Sequence, residues 1–410
     1  MITPFKDGRM ELSMKKANVL DQAALKLVNL TEIFHMIYDL FPISRADLAK
    51  KSGMSPTSIT RFVNGLLELN LITEAPAEVK KVGRTATLLK INDSAFYSVG
   101  IDIDSSYINV SILNFLKQNI INKRIRTDIS SKFEDLLDRA YELYLQALKA
   151  SKLLESNIKG IGLSVPCIIT GPELIKLDLQ IQFGESNLYD LLAEKFHMDN
   201  IVIENDCNAA LTGQCVLHPE YNEQSVSCLA VGSGIGSAFS YRGSIITSPE
   251  RSVFSEIGHT VIDPKGMLCA CGNRGCLETY ISKGNLIRRA QEHDPSIILF
   301  EEIHSAWVKE MKWARDLIND ACTYSKIAIN NLACVYNPDV VLVCGSNIDD
   351  YWDMFHEICE GPQLLFAPFR NKLKIIPFFD MSQSSIIGVS KVVQDRFVKQ
   401  LLKQCVSNNL

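Results

Sequence analysis

The sequence predicts an α/β protein that begins with a winged helix-turn-helix and continues into a larger two-lobed α/β domain with a structural metal site. Three observations support this fold class. Capped helices and two short strands fill residues 23–92, and from about residue 97 strands alternate with helices. Three closely spaced cysteines follow a histidine. We therefore predict an N-terminal tail at 1–22 and domains at 23–92 and 93–410.

Composition and charge limit the class of protein. The 410 residues are 47% apolar and 22% charged, which is ordinary for globular domains. The sequence has no apolar run long enough for a membrane span and no signal-like N-terminus, so we expect a cytoplasmic protein without membrane insertion. Residues 1–90 hold 13 of the 42 Lys and Arg but 9 of the 47 Asp and Glu. A basic segment on an acidic remainder is typical of a nucleic-acid-binding domain fused to another domain.

Helix signals define the first domain. Apolar residues recur at helical spacing over 23–40. Ser44 is placed to cap a second helix over 45–51, and Gly53 supplies the turn after it. Ser55 then caps a third helix, whose first residue is a proline. This order of helix, glycine-containing turn and helix predicts a helix-turn-helix.

Two predicted strands over 71–73 and 87–91 complete the first domain as a wing. In such a module the third helix lies in the major groove, and basic residues of the wing enter the neighbouring minor groove. The candidate DNA contacts are Ser44, Arg45, Ser55, Thr57, Ser58, Thr60, Arg61, Asn64, Lys80, Lys81, Gly83 and Arg84. The alternative is a small helical docking domain whose polar face is merely solvated.

A cluster of metal-ligating residue types lies further along the chain. Cys269, Cys271 and Cys276 follow His259, which stands ten positions before the first of them. Three thiolates and one imidazole suit tetrahedral Zn²⁺, and four protein ligands leave no open position. We therefore predict one structural zinc ion per chain. The alternative is a set of buried free cysteines, and the other cysteines are scattered and expected to be reduced.

Polar residues follow a predicted strand at 201–203. Asn205 and Asp206 would stand at the carboxyl end of this strand, where open α/β sheets bind ligands. Together with Glu256 and Glu278 they could present carboxylates and an amide to the hydroxyls of a sugar. Helix capping explains Asn205 and Asp206 equally well. The glycine-rich segment 231–236 is either a phosphate loop or a tight turn.

These features together resemble the ROK family, which comprises repressors, open reading frames and sugar kinases, over about residues 23–400. The most specific match is Glu256-Ile-Gly-His259 followed by Cys269-Ala-Cys-Gly-Asn-Arg-Gly-Cys-Leu-Glu278, the zinc signature of the family in order and spacing. Glu204-Asn-Asp-x-Asn208 matches the sugar-site segment, and residues 160–166 match another family stretch. The first ninety residues resemble the winged helix of the repressor branch.

The resemblance implies an actin- and hexokinase-like fold that holds a sugar between its lobes, with a lobe boundary near 205–215 and a C-terminal helix that returns to the first lobe. In the family's kinases the residue matching Asp206 is the general base. The residues matching Asn205, Glu256, His259 and Glu278 hold the sugar. His259 would use one ring nitrogen for the sugar and the other for zinc.

The phosphate side departs from the kinase pattern. Where the family's kinases carry Asp-x-Gly-Gly-Thr, this chain reads Asp102-Ile-Asp-Ser-Ser106. The missing glycines remove the close backbone approach that phosphoryl oxygens need, and Asp104 adds a negative charge. A carboxylate about 4 Å from a phosphate oxygen costs on the order of 4 kcal/mol at an effective dielectric constant near 20. We therefore predict no useful ATP binding and no working catalytic residue, with Asp206 a relic general base.

The sequence thus predicts a sugar-responsive, DNA-binding transcriptional regulator, a repressor of carbohydrate metabolism genes rather than an enzyme. Its expected partners are a double-stranded DNA operator, a sugar or sugar-phosphate effector and a second copy of the chain, with a tetramer left open. Two alternatives remain. One is an active ATP-dependent sugar kinase with a regulatory DNA-binding head, and the other is a regulator controlled by a protein partner.

Overall fold

The computed structural model describes residues 22–76, 87–104, 106–127, 133–167, 169–170, 174–175, 187–247, 255–360 and 363–409. The chain forms two compact units. The amino-terminal unit comprises Met1–Asn92 with Val398–Leu410, and the second unit comprises Asp93–Phe397. Among the described residues, no helix combines the length and the apolar character that a membrane crossing needs.

The amino-terminal unit combines helices with a small antiparallel sheet of order β1-β3-β2. Its elements are α1 Gln22–Leu40, β1 Ile43–Ser44, α2 Arg45–Ser52, α3 Pro56–Glu68, β2 Ile72–Pro76 and β3 Thr87–Ile91. The caps explain where the helices begin. The Ser44 side chain accepts a hydrogen bond from the backbone N–H of Asp47, and the Ser55 side chain accepts one from that of Ser58. Gly53, at φ +70°, ends α2 in the left-handed conformation that favours glycine.

One face of α3 is buried and the other is exposed. Ile59, Phe62, Val63 and Leu66 recur every three or four residues and are all buried. Leu30 and Ile33 of α1 and Leu48 of α2 are buried in the same unit. The polar residues of α3 consequently face outward.

The predicted second domain ended at residue 410, whereas residues from Val398 onward belong to the amino-terminal unit. These residues form the end of the last helix, α14, which is described with the second unit below. Leu402 and Cys405 are buried there. Burial, followed by the nearby carboxylate of Glu68, raises the pKa of the Cys405 thiol. The sequence did not show that the end of α14 belongs to the amino-terminal unit. The apolar pattern of a helix continues without a break where the helix passes from one unit to the other.

The second unit contains two mixed sheets. The first sheet has the order β10-β7-β4-β5-β6, with β10, β7 and β4 parallel and the two following strands antiparallel. The elements of this half are β4 Tyr97–Ile103, β5 Tyr107–Asn114, β6 Asn119–Arg126, α4 Phe133–Ser151, β7 Ile158–Val165, β8 Ile169–Thr170, β9 Leu174–Ile175, α5 Leu188–Phe196, β10 Ile201–Asn205 and α6 Asp206–Leu217. We call the first sheet with α4 and α5 the first lobe.

The second sheet has the order β13-β12-β11-β14-β15. The remaining elements are β11 Ser225–Val231, β12 Ile235–Tyr241, β13 Ser244–Ile245, α7 Glu278–Ile281, α8 Lys283–Ala290, α9 Phe300–Val308, α10 Lys312–Tyr336, β14 Val340–Cys344, α11 Ser346–Asp350, α12 Trp352–Phe355, α13 Glu357–Glu360, β15 Lys374–Pro377 and α14 Met381–Asn409. Short 3₁₀ turns lie at Glu155–Asn157, Pro219–Glu223, Ile257–His259 and Ala367–Phe369. We call the second sheet with α7–α13 the second lobe.

Alternate residues of the strands pack on opposite sides of each sheet. Leu229 and Val343 belong to a core shared with α7–α10, whereas Cys228 and Leu342 belong to a core shared with α6. In the first lobe, Ile101 packs in the core that contains α4 and α5. The other face of that sheet carries α14, so that helices α6 and α14 lie between the two sheets.

Helices α6 and α14 cross with their backbones in contact. A Cβ atom on Gly213 of α6 would overlap the carbonyl oxygen of Ser384 in α14, and one on Gly388 of α14 would overlap that of Ala209 in α6. Only glycine allows this approach, because any side chain would separate the helices. The crossing fixes the start of α6, where two candidate site residues stand.

Gly213→Ala is expected to lower the free energy of unfolding by about 2 kcal/mol. Overpacking typically costs about 1–3 kcal/mol, which exceeds the gain of up to about 1 kcal/mol from the helix propensity of alanine. Chemical denaturation measures the change. Gly284→Ala is the matched control, because Gly284 lies in a helix with open space around its missing side chain. Equal denaturation midpoints for the two variants would show that α6 and α14 do not approach this closely.

Candidate functional site

A cleft of about 1170 Å³ opens in the second unit. Its walls come from the ends of β4 and β10, the β11–β12 turn, the start of α7 and the segments around Gly345 and Phe379. These positions are the carboxyl ends of parallel strands and the adjoining turns, where open α/β sheets bind ligands. The cleft brings together Asn205, Asp206, Glu256, His259 and Glu278.

Asn205 ends β10 and caps α6. Its Oδ1 accepts hydrogen bonds from the backbone N–H groups of Cys207 at 3.0 Å and Asn208 at 3.2 Å. Its Nδ2 donates to the carbonyl oxygen of Cys167 at 3.2 Å. The amide therefore has the capping role that the sequence left open, and it also lines the cleft. Its local bonds hold the neighbouring Asp206 at the first turn of α6.

Two carboxyl groups with raised pKa values line the cleft. Asp102, at the end of β4, is buried and accepts a hydrogen bond from Ser164 Oγ at 2.6 Å. Burial raises its pKa to about 6. Asp206 is half-buried, and burial together with the negative charge of Asp102 raises its pKa to about 7. A carboxyl group with a pKa near neutrality can accept or release a proton at physiological pH.

Asp102→Asn is expected to stabilise the ligand-free protein by up to about 3 kcal/mol at pH 8 and by little at pH 4. The pKa of this carboxyl is about 6 in the folded chain against the ordinary 3.8, so the folded state binds the proton more tightly. The carboxylate therefore costs stability progressively as the pH rises from about 4 to 6, and the full cost persists above that range. Asparagine keeps an oxygen for Ser164 and carries no charge.

Urea denaturation of both proteins across this pH range measures the difference. Asp135→Asn, at an exposed position of α4, controls for the loss of a carboxylate in general. An unfolding free energy that is unchanged by Asp102→Asn at pH 8 would contradict the burial argument.

The turn after β4 is closed by a carboxylate. Asp104 Oδ1 accepts hydrogen bonds from the backbone N–H of Ser106 at 3.0 Å and from its hydroxyl at 2.8 Å. Ser105 lies outside the described residues. In a phosphate-binding turn, the N–H and hydroxyl of Ser106 would be available to a phosphate, but here they already bind the Asp104 carboxylate. Asp104 itself also lines the cleft.

Acidic residues dominate the charged lining of the cleft within the described chain. The acidic residues are Asp102, Asp104, Asp206, Glu256, Glu278, Glu301, Asp349, Asp350 and Asp380, and the basic ones are Arg124, Arg126, His259 and Lys283. The negative charge of such a lining favours a neutral polyhydroxyl ligand over a polyanion that binds without a counter-ion.

The four candidate zinc ligands converge beside the cleft. The Sγ atoms of Cys271 and Cys276 are 3.5 Å apart, and Cys269 Sγ is 3.7 Å from His259 Nδ1. All four ligand atoms lie within 4.8 Å of one another. Tetrahedral zinc with Zn–S near 2.3 Å and Zn–N near 2.0 Å requires S···S of about 3.8 Å and S···N of about 3.5 Å. The residues therefore fit this metal.

The local backbone explains how these ligands meet. Gly272 at φ +93° and Gly275 at φ +67° adopt left-handed conformations that favour glycine. The turn is closed by hydrogen bonds from the N–H of Cys269 to the carbonyl of Asn273 and from the N–H of Gly272 to the carbonyl of Cys269. On the other side of the imidazole, His259 Nε2 lies 3.8 Å from Glu278 Oε2. One ring nitrogen thus faces the thiols and the other faces the cleft.

The DNA-contact candidates of the amino-terminal unit fall into three groups. Thr57, Thr60, Arg61 and Asn64 share the exposed face of α3. Ser44, Ser55 and Ser58 form capping hydrogen bonds, and Arg45 pairs with Glu74. Lys80, Lys81, Gly83 and Arg84 lie outside the described residues.

Sequence reasoning missed several residues that line the cleft or support its lining. Ser164, which holds Asp102, lies in the strand that carried the family resemblance but gave no signal of its own. Arg124 lies on the alternating edge strand β6 and stacks over the Tyr107 ring at 3.9 Å. Lys283 follows α7 and lies 5.1 Å from the centre of the Tyr351 ring. The sequence signal that could have indicated the edge strand that carries Arg124 is the alternation of apolar and charged residues along β6.

The second unit has the two-lobed α/β fold of the hexokinase type, with a polar cleft and a neighbouring Cys/His cluster. The model of the ROK family matches residues 98–396. The chain belongs to the ROK family.

Individual relatives agree with this assignment. The xylose repressor of Bacillus subtilis (strain 168) is 27% identical over 391 residues, which cover 94% of this chain and 99% of that protein. A solved ROK family transcriptional regulator, described as a homolog of the E. coli MLC protein, superposes with a TM-score of 0.73 at 21% identity, over 93% of this chain and 99% of that one. The ROK family glucokinase from Streptomyces griseus in complex with glucose and AMPPNP gives a TM-score of 0.59 at 18% identity, over 72% and 98%.

Proposed function

We propose that this protein is a DNA-binding transcriptional repressor of carbohydrate genes whose cleft binds a sugar without phosphorylating it. The observation that carries the proposal is the cleft itself, which keeps the sugar-side residues while Asp104 closes the phosphate-side turn. The name of the B. subtilis relative, a xylose repressor that matches almost the whole chain, supports the same conclusion.

The amino-terminal unit serves as the DNA-binding domain, a winged helix-turn-helix. Its α2 and α3 are joined by a turn at Gly53, and β2 and β3 form the antiparallel pair of a wing. Thr57, Arg61 and Asn64 on the exposed face of α3 are the residues available to a major groove. Two copies of the chain would place two such helices in successive major grooves of a near-palindromic operator. We propose a homodimer, with a tetramer as the open alternative.

Zinc has a structural role in this proposal. His259, Cys269, Cys271 and Cys276 would hold one Zn²⁺ ion with no open position. The ion would cross-link the loop between Glu256 and Glu278 and would take part in no chemical step. Glu256, Glu278 and the second nitrogen of His259 would then be fixed towards the sugar hydroxyls.

The lining of the cleft argues for a neutral sugar. Asn205 and Asp206 line it from the junction of β10 and α6, and Glu256 and Glu278 line it from the two ends of the segment that holds the Cys/His cluster. Carboxylates accept hydrogen bonds from hydroxyl groups but repel phosphate esters by on the order of 4 kcal/mol per close contact at a dielectric constant near 20. The same repulsion disfavours ATP beside Asp104. Sugar binding would change lobe closure, and operator affinity would follow if the two closure states bind DNA differently.

A second candidate function is an active sugar kinase with a DNA-binding head. The raised pKa of Asp206, about 7, favours it, because an effective general base has a pKa near the working pH. A coupled assay of ADP formation against hexoses and amino sugars separates the two. We expect no sugar-dependent turnover. A rate of about 1 per second or more, within the range of ordinary enzymes, would support the kinase instead.

Selection of bound fragments from genomic DNA by the purified protein tests the proposal. We expect enrichment of near-palindromic sites next to carbohydrate genes, and loss of enrichment when the inducing sugar is added. Enrichment of no sequence would contradict the proposal.

A further inference from the structure

The side chain of Arg45 connects three elements of the amino-terminal unit. Its Nε and Nη2 donate to Glu74 Oε1 on β2 at 3.0 and 2.8 Å. Its Nη1 donates to Asn64 Oδ1 on α3 at 3.1 Å and lies 3.5 Å from the carbonyl oxygen of Thr60. The side chain is only 28% exposed. Arg45 is therefore bound within its own unit, although its sequence position suggested a DNA contact.

This arrangement fixes the orientation of the Asn64 amide. A guanidinium group only donates hydrogen bonds, so the group that faces it must be the amide oxygen and not the amide NH₂. Glu74 holds the guanidinium from the other side and prevents it from following Asn64 outward. The NH₂ group of Asn64 is consequently the part of the amide that points away from α2.

Asn64 lies on the exposed face of α3 with Thr57 and Arg61. The hydroxyl of Thr60, on the same face, donates to the carbonyl oxygen of Pro56 at 2.9 Å. The two N–H donors of Asn64 bond to no other side chain or backbone group of the described residues, whereas the hydroxyl of the neighbouring Thr60 already donates to a carbonyl oxygen.

We propose that Asn64 reads guanine rather than adenine in the operator, and that Arg45 is a positioning residue that sets this preference without contacting DNA. The inference rests on the proposed DNA-binding function. Asparagine recognises adenine through both atoms of its amide, because the oxygen must accept from the adenine N6 amino group. Here Arg45 holds that oxygen towards α2. Guanine offers two adjacent acceptors, N7 and O6, which match a group that only donates.

The experiment starts from a random double-stranded DNA library selected with the full-length protein and, in parallel, with Asn64→Ala. The position at which Asn64→Ala loses base preference is the position that Asn64 reads. Because Asn64 is exposed, this variant should fold normally. We expect the wild type to prefer guanine over adenine there by about tenfold.

Arg45→Met then removes the guanidinium and keeps an unbranched side chain. It should free the amide to rotate and reduce the preference for guanine to about twofold or less, with adenine gaining. Arg45→Lys, which keeps a donor and the charge, should retain guanine. The dependence of affinity on salt distinguishes positioning from contact. We expect an unchanged slope for Arg45→Met, whereas loss of a phosphate contact would lower its magnitude by about 0.9.

Each failure has a distinct meaning. Adenine as the preferred base at the Asn64 position, or an unchanged guanine preference in folded Arg45→Met, would overturn the inference and leave the DNA-binding function intact. A wild-type protein that enriches no sequence would instead overturn the proposed function. A reduced salt slope for Arg45→Met would show that Arg45 contacts the DNA backbone.

Discussion

Replacing Cys271 by serine is expected to remove the bound zinc and to lower the free energy of unfolding on the order of 4 kcal/mol. Cys271 is exposed, whereas Cys269 and Cys276 are buried. Serine at this position therefore disturbs little packing, and a large loss of stability reports on the metal. The effect is large because the four ligands meet only in the folded chain, so the free energy of metal binding directly stabilises the folded state.

Metal analysis and chemical denaturation of the same samples measure both effects. Cys334→Ser is the matched control, since Cys334 is an exposed cysteine on α10 outside the cluster. It should leave metal content and stability unchanged. Full stability of the wild-type protein without bound zinc would refute the structural role of the cluster.

Asp206→Asn is expected to shift the response to sugar to much higher sugar concentrations while leaving operator binding intact. A hydrogen bond to a charged group contributes about 1.5–3 kcal/mol, so the affinity for sugar should fall roughly 10- to 100-fold. The variant should also be more stable than the wild type at pH 8, because the wild-type carboxylate is ionised there although its pKa is raised to about 7. Substitutions at functional sites commonly raise the stability of the protein while they weaken ligand binding.

Thermal shift with a panel of sugars, together with operator binding without sugar, measures these effects. Asp199→Asn, at an exposed position before β10, controls for the loss of one carboxylate. An Asp206→Asn variant that still responds to sugar at wild-type concentrations would remove Asp206 from the sugar site.

Local signals made much of the fold predictable. The caps at Ser44 and Ser55 and the turn at Gly53 depend only on neighbouring residues, and the structure has the helices α2 and α3 that they predicted. The buried strands β4 and β7 are recognisable as short apolar runs. The spacing of the cysteines predicted their convergence with His259, because the intervening Gly272 and Gly275 allow the tight turns that bring the ligands together.

Contacts between distant residues were not predictable. The hydrogen bond from Ser164 to Asp102, the ion pair of Arg45 with Glu74 and the crossing at Gly213 each join residues far apart in sequence. Periodicity reports which face of an element is buried but not which element covers it. The edge strand β6 also escaped prediction, because it lacks a buried run and most of its exposed positions carry polar residues.

The central claim is that this cleft senses a sugar and no longer transfers phosphate. Titration of the selected operator duplex with the full-length protein, repeated with the most stabilising sugar and with or without Mg-ATP, tests it directly. We predict that the sugar weakens operator binding by about tenfold or more, that Mg-ATP changes nothing, and that no ADP forms. Sugar-dependent ADP formation, or operator binding that responds to ATP, would contradict the claim.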